Sequence, residues 1–409
     1  MDRTDAEALD AADPLAGFRD EFVVADEGLV YFDGNSLGRL PRRTADRLAK
    51  VVSDGWGTGL VRSWSAWIDL PGQVGDRLAA AALGAAGGQV VVGDSTTVNL
   101  YKLAAAALDG RPGRRAVVCD PGDFPTDRYV MAGLAQARGL EIRPVAPGGR
   151  LGSVLDGDVA LVMFSMVDYR SGEIADVPAI TDAAHRAGAL TLWDLSHAAG
   201  AVDVHLDAWG VDLATGCTYK YLNAGPGAPA WLYVRDALHE ELLPPVWGWF
   251  GQRDQFEMGA AFEPAPGIRR WVSGTPAVLG LVALDEALAV LERAGIGRVR
   301  AKSIALTTVA AGLADDWLAP LGFSLASPDD ARRRGSHLAL RHPEARRLSR
   351  ALREEAATVP DFRPPDLLRV GLSPLTTRFT EVWDGFDRIR RLAADAAWDR
   401  YDPSPETVT

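Results

Sequence analysis

The sequence predicts an α/β protein, with a mostly parallel central sheet flanked by helices and a smaller C-terminal α+β domain. Three observations carry this expectation. Between residues 90 and 234, short apolar runs alternate with stretches of helical period, as in a sheet whose crossovers are helices. Polar and ionisable residues gather just after those runs, at the strand ends where ligands of such sheets bind. From Ala277 the pattern changes to long amphipathic helices broken by short strands.

Composition sets the outer bounds. With 409 residues, 47% of them hydrophobic, the chain outgrows a single core, so a main domain with a smaller one is expected. We place an N-terminal arm at 1–44, packing with the small domain, a large domain at 45–276 and the small domain at 277–409. A net charge of −12 leaves no basic footprint for nucleic acid. Cys119 and Cys217 are the only two cysteines, which offers neither a disulfide framework nor metal-ligand spacing. The acidic N-terminus lacks an apolar signal core, and no run approaches membrane-spanning length. A cytoplasmic protein without a membrane partner is expected.

In chain order, residues 1–27 are helix-prone and 30–32 form a short strand entering a turn-rich segment, 33–38. Residues 41–52 and 73–83 read as helices around an aromatic loop, where Trp64 and Trp67 anchor packing. Strands follow at 90–92, 115–119, 159–163, 191–193, 211–217 and 228–234, with helices after the first two and at 179–187. A loop region rich in Trp, Gly and Pro spans 244–276. Helices at 278–294, 296–318, 343–357 and 381–397 surround short strands near 336–340 and 368–371. No repeat, dinucleotide fingerprint, P-loop or HExxH motif is present.

The chemistry centres on residues 189–227. One apolar run ends on Asp194, and His197 follows three positions later. A second run delivers Lys220 between Tyr219 and Tyr221. A carboxylate past one buried strand and a lysine past the next suit pyridoxal phosphate. Its aldehyde takes a lysine amine, and its pyridine nitrogen needs a carboxylate partner. Taken alone, a helix-capping carboxylate and a solvated lysine are the usual fates of these two residue types. Hydroxyls at 95–97, where a helix starts after a strand, suit a phosphate or ordinary N-capping. Thr96, Asp127, Ser165, Asp194 and Lys220 all fall past strand ends, and that convergence favours a ligand site.

The segments YFDGNSLG (31–38), DSTTVNLYK (94–102), DFPTDRY (123–129) and WDLSHAAGAV (193–202) form an ordered series. It continues with GCTYKYLNAGPGAPA (216–230), GWFG (248–251), PGIRRWVSGTP (266–276) and LRVGLSPL (368–375). The series resembles kynureninase, a pyridoxal-phosphate hydrolase of the aspartate-aminotransferase-like fold type I. The resemblance covers most of the chain.

It implies that Lys220 carries the cofactor and moves protons at Cα, while Asp194 holds the pyridinium N–H. Phe124 would stack on the ring, and Asp127 and His197 would line the pocket. Thr96, Thr97, Ser165 and Tyr219 would serve the phosphate side, with Tyr219 also the candidate for proton transfer at Cβ and Cγ. Trp249 and Thr275 would reach the cofactor of a partner in a homodimer. Arg369 would grip the substrate α-carboxylate, a task suited to a two-pronged planar donor, and Asn35 lies in a motif near the substrate. As structural alternatives, Arg369 would pair with Asp366 or Glu381, His197 would be a core histidine and Trp249 an interface anchor.

The implied reaction is hydrolytic Cβ–Cγ cleavage of L-kynurenine or 3-hydroxy-L-kynurenine to anthranilate or 3-hydroxyanthranilate and L-alanine. It would serve tryptophan catabolism or NAD biosynthesis. The alternative is another pyridoxal-phosphate lyase or hydrolase acting on a related aryl amino acid. Cysteine desulfuration needs a cysteine later in the chain, and none follows Cys217. A non-catalytic relative would be expected to lack Lys220 or Asp194. Two departures from the family pattern, Gln252 after GWFG and Thr376 after SPL, bear on ring recognition rather than on the cofactor.

Overall fold

The computed structural model describes residues 1–402 and 404. Its strands are β1 (Val30–Tyr31), β2 (Val90–Val92), β3 (Ala116–Cys119), β4 (Glu141–Pro144), β5 (Val159–Ser165), β6 (Leu190–Asp194), β7 (Leu213–Gly216) and β8 (Trp231–Val234). They continue with β9 (Ser324–Leu325), β10 (His337–Arg341), β11 (Thr358–Val359), β12 (Asp361–Arg363) and β13 (Leu367–Gly371). The α-helices are α1 (Arg3–Ala12), α2 (Arg42–Lys50), α3 (Trp64–Trp67), α4 (Leu70–Leu78), α5 (Thr96–Asp109), α6 (Pro125–Arg138) and α7 (Val177–Arg186). In the C-terminal part come α8 (Val278–Ala294), α9 (Ile296–Leu313), α10 (Ala345–Glu355) and α11 (Phe379–Ala394).

The large sheet runs β2-β8-β7-β6-β5-β3-β4. All its pairings are parallel except those of β8, which is antiparallel to both β2 and β7. The strands are apolar on both sides because both faces are covered by helices. Alternate residues feed separate cores: Val90, Val92 and Val118 enter one, Val91 and Val117 the other, following the two-residue strand period. Helix α5 supplies Leu100, Leu103 and a run of buried alanines to the second of these, and small side chains let it lie close to the sheet. Helix α6 begins with Pro125 at its first position and stops at Gly139, whose φ of +64° is left-handed, the residue preferences of those two ends.

A four-stranded antiparallel sheet, β12-β13-β10-β9, supports a third core with α9, α10 and α11. Ala6, Val30 and Phe32 lie in that core as well. Helix α8 does not: Leu281, Leu284, Leu288 and Leu291 belong to the core of the large sheet. The cores therefore part between α8 and the middle of α9, downstream of the pattern change near Pro276, because the amphipathic stripe of α8 faces back toward α2 and α4.

The helical run Ile296–Leu321 is long and apolar enough to span a membrane by those two measures, where sequence reading found no run of that length. Its Leu306, Ala310 and Leu313 pack in the third core, and its Lys302 pairs with Asp13 at 2.6 Å.

Candidate active site

Beyond the carboxyl ends of β5, β6 and β7 lies a cavity of about 110 Å³. Its walls come from the start of α5 (Thr96, Thr97), the start of α6 (Phe124, Asp127), and Ser165, Asp194, His197, Tyr219 and Lys220. These nine residues, separate in sequence, are brought together. Ser95 caps α5 by accepting the Val98 N–H at 3.3 Å. Thr96 and Thr97 then begin a helix whose first N–H groups point outward, where an anion is stabilised.

One side of the cavity is acid-rich. Asp194 ends β6 and is buried, and the Ser196 N–H and hydroxyl both donate to its Oδ1, at 2.8 and 2.6 Å. Asp123 accepts the Ser165 hydroxyl at 2.5 Å and its N–H at 3.1 Å. The same hydroxyl lies 3.4 Å from Asp127. Burial pushes the Asp123 carboxyl up to about 7, with the Ser165 hydrogen bond opposing and Asp194 reinforcing the shift. Burial also raises Asp127, again with Asp194 adding to it, and it raises Asp194 against the pull of Ser196 and Lys220. Three crowded carboxyl groups call for a cation. A protonated pyridine nitrogen meets that need, so the residues present fit pyridoxal phosphate.

In the same cavity, Lys220 Nζ lies 3.2 Å from His197 Nε2 and forms no ion pair among the described residues. Burial lowers the Lys220 amine and holds His197 well below the usual imidazole range, the lysine's charge adding to the latter. An amine that loses its proton readily can attack an aldehyde. Gly38 supports this loop: its N–H donates to the Tyr219 carbonyl at 2.8 Å. A Cβ there would come within 2.3 Å of the Lys220 carbonyl. Burial also raises the Tyr219 phenol, so it stays protonated through neutral pH.

Arg369 sits on β13 and is buried. Its ion partner is neither Asp366, which pairs with Arg341, nor Glu381, which pairs with Arg19. It is Asp361, directly opposite in the β12–β13 register. Arg369 also donates to the Tyr169 carbonyl at 2.5 Å and the Ser36 hydroxyl at 3.2 Å. The network sets the Asn35 amide with its oxygen toward the guanidinium, at 2.8 Å from Nε and 3.0 Å from Nη2.

Tyr169 meets Phe124 edge-on, with ring centroids 5.2 Å apart. It therefore bridges the cavity wall and the arginine. Tyr169, Thr126 and Ser196, which also line the cavity, were missed in the sequence, as were Asp123 and Asp361. Asp123 stood inside a recognised motif but carried no sign that its neighbour in space would be Ser165.

Trp249 and Thr275 are not brought to this cavity. Trp249 is exposed and packs edge-on against Phe250 and Phe256. Thr275 lines a different cavity with Asp94, Lys102 and Ser273. Gln252 braces its own loop by accepting the Glu263 N–H at 2.7 Å. Thr376 is buried, and its carbonyl accepts from Arg19. Neither of these two lines the Lys220 cavity.

Comparison with known proteins bears on the family and the fold. A family model described as "Kynureninase C-terminal domain" matches residues 299–389. The kynureninase of Deinococcus radiodurans is 45% identical over 383 residues, covering 92% of each chain. That of Pseudomonas fluorescens is 40% identical over 404 residues, covering 97% of this chain and 96% of the relative. Among solved structures, a cysteine desulfurase from Thermococcus onnurineus superposes with a TM-score of 0.79 at 18% identity, over 93% of this chain and 98% of that one. A cystine C–S lyase, C-DES, in complex with cysteine persulfide does so at 0.74 and 20%, over 91% and 98%. At such identities the structural likeness speaks for the fold, which is that of pyridoxal-phosphate enzymes of fold type I. The near full-length relatives say more: this chain belongs to the kynureninase family.

Proposed function

We propose that this chain hydrolyses the Cβ–Cγ bond of L-kynurenine, or its 3-hydroxy form, giving anthranilate or 3-hydroxyanthranilate and L-alanine. The observation that carries this reading is the placement of Lys220 and Asp194 in one cavity, with Arg369 held close by through Tyr169. Pyridoxal 5′-phosphate, when bound, supplies the electron sink that lets the Cα proton and later the Cβ–Cγ electron pair depart.

The chain's own residues do the rest. Thr96, Thr97 and Tyr219 would hold the phosphate end, whereas Ser165, expected there from the motif, donates to Asp123 and sits with the carboxyl groups on the pyridine side. Asp194 would keep the pyridine nitrogen protonated and Phe124 would cover the ring, with Asp127 and His197 completing the wall. Arg369, steadied by Asn35, orients the α-carboxylate. Lys220 Nζ removes the Cα proton. Water adds at the γ-carbonyl, the Cβ–Cγ bond breaks, and Tyr219 handles the proton at Cβ and Cγ. One water is consumed, the acyl carbon leaves as the carboxylate of anthranilate, and Cβ becomes the methyl group of alanine.

The working form in this reading is a homodimer, with Trp249 and Thr275 serving the partner's cofactor. Support comes from exposed Trp247, Trp249, Phe256 and Met258, large apolar side chains gathered on one surface loop. Two experiments test the proposal. Purified, cofactor-loaded protein is expected to release anthranilate from L-kynurenine, with 3-hydroxykynurenine run in parallel. No release from either substrate, with the cofactor's visible absorbance intact, would sink the substrate assignment. Lys220→Ala is expected to abolish turnover, and near-normal activity would overturn the role given to the lysine.

A further inference from the structure

A second buried amine lies on the phosphate-side helix, away from the chemistry. Lys102 is 1% exposed, an unusual state for an ammonium group. Its Nζ donates to Asp94 Oδ2 at 3.0 Å and to the Trp271 carbonyl at 2.5 Å. The Ser273 hydroxyl donates to the same Asp94 oxygen at 3.2 Å. Asp94 has a φ of +54°, a left-handed conformation that costs a non-glycine residue energy and persists only when its surroundings hold it. Its backbone is also tied down: its carbonyl accepts the Ala230 N–H at 2.9 Å. Two residues beyond Asp94, α5 begins with Thr96 and Thr97.

The ammonium thus ties two segments together, the turn that aims the start of α5 and residues 271–273, which lead to Thr275, while the Asp94 carbonyl separately holds the residue before β8. Burial of that charge without Asp94 would be strongly unfavourable. We propose that Lys102 is a positioning residue whose buried ammonium, partnered by Asp94, fixes both the helix start that meets the cofactor phosphate and the segment carrying Thr275. This rests on reading Thr96 and Thr97 as the phosphate end. Lys102 does not line the Lys220 cavity. It acts as a built-in cation among oxygens that would otherwise repel one another.

The test uses purified holoenzyme with Lys102→Met, Lys102→Ala and Asp94→Asn. Cofactor dissociation is followed by visible absorbance and the phosphate environment by ³¹P resonance. Lys102→Met is expected to weaken cofactor binding roughly 10- to 100-fold and shift the phosphate resonance, as expected when one partner of a buried pair is lost. Lys102→Ala leaves a channel the shape of n-propylammonium, so adding that ion restores affinity while potassium chloride at equal ionic strength does not. Cofactor affinity equal to the parent's in both lysine variants overturns the proposal, as does a lowered melting temperature with no propylammonium rescue. Should the lysine variants fail to fold, Asp94→Asn decides, because Asp94 is partly exposed: weaker cofactor binding supports the proposal and unchanged binding overturns it. Thr96→Ala with Thr97→Ala separately tests the phosphate reading. Unchanged cofactor affinity there would sink that reading whatever Lys102 does.

Discussion

Tyr219 and Arg369 illustrate how differently single residues reveal themselves. Tyr219 adjoins Lys220 in sequence and lines the same cavity. Tyr219→Phe is expected to lower kcat by roughly 10²- to 10⁴-fold, the usual worth of a positioned acid–base group. The visible spectrum of the bound cofactor should persist, and an unchanged kcat in steady-state assays would remove Tyr219 from the chemistry. Arg369→Lys retains a cation for Asp361 but loses the two-pronged donor face. KM for L-kynurenine is expected to rise by about tenfold or more while kcat falls less; equal KM values would refute the carboxylate role. Lys220 and Asp194 stood out in the sequence because each sits within a few residues of a strand end, where topology places a ligand, while Tyr219 was named through the family motif that surrounds it. Asp361 was not. Its pairing with Arg369 depends on a three-residue strand, too short to show any period.

At the level of elements, the end of β6, the turn before α6 and the first turn of α6 press three carboxyl groups together. Burial raises Asp123 to about 7 and raises Asp127 and Asp194 too. Raised in the folded state, these groups add stability that is fully present below about 4, the unfolded carboxylate range. For Asp123 it is lost as pH climbs through the folded value near 7. Cofactor-free protein is therefore expected to melt at progressively lower temperature across that window, and Asp123→Asn should flatten the slope. Calorimetric scans check both, and a flat profile in the parent would show the carboxyl groups to be relieved by some other contact.

The alternation of strands and helices made the parallel part of the sheet readable. The reversed direction of β8 was not, since an apolar run carries no sign of its polarity. That polarity depends on the short Gly/Pro loop after Lys220, which returns the chain beside β7 without a helical crossover. Likewise, the hydrophobic stripe of α8 is plain in sequence, but which of two cores it joins is decided by the surfaces of α2 and α4.

For the whole molecule, the separation of Trp249 and Thr275 from the Lys220 cavity makes the dimer proposal testable. Trp249→Ala and Lys220→Ala are each expected to be severely impaired alone. Mixed after reversible dissociation, they should regain activity, because a hybrid dimer holds one site with an intact lysine and the partner subunit's intact tryptophan. At equal mixing, hybrids form about half of the population. Failure of the mixture to exceed the sum of its parts, with hybrids shown by native mass spectrometry, would place Trp249 outside the partner's site. Nothing in the sequence could give this arrangement directly, because a residue that serves another subunit has no local pattern to announce it.

The contact between Ser36 and Arg369 spans 333 positions, and Asn35, beside the same arginine, is fully buried. A ribosome adding 5–20 residues per second needs roughly 15–70 s to bridge such an interval. Throughout that time the first half of the chain carries an uncovered amide and hydroxyl with nothing to close over them. The pocket proposed for the α-carboxylate is therefore complete only as the last strand emerges. It waits on one of the most remote pairings in the chain rather than on the local order of the sheet.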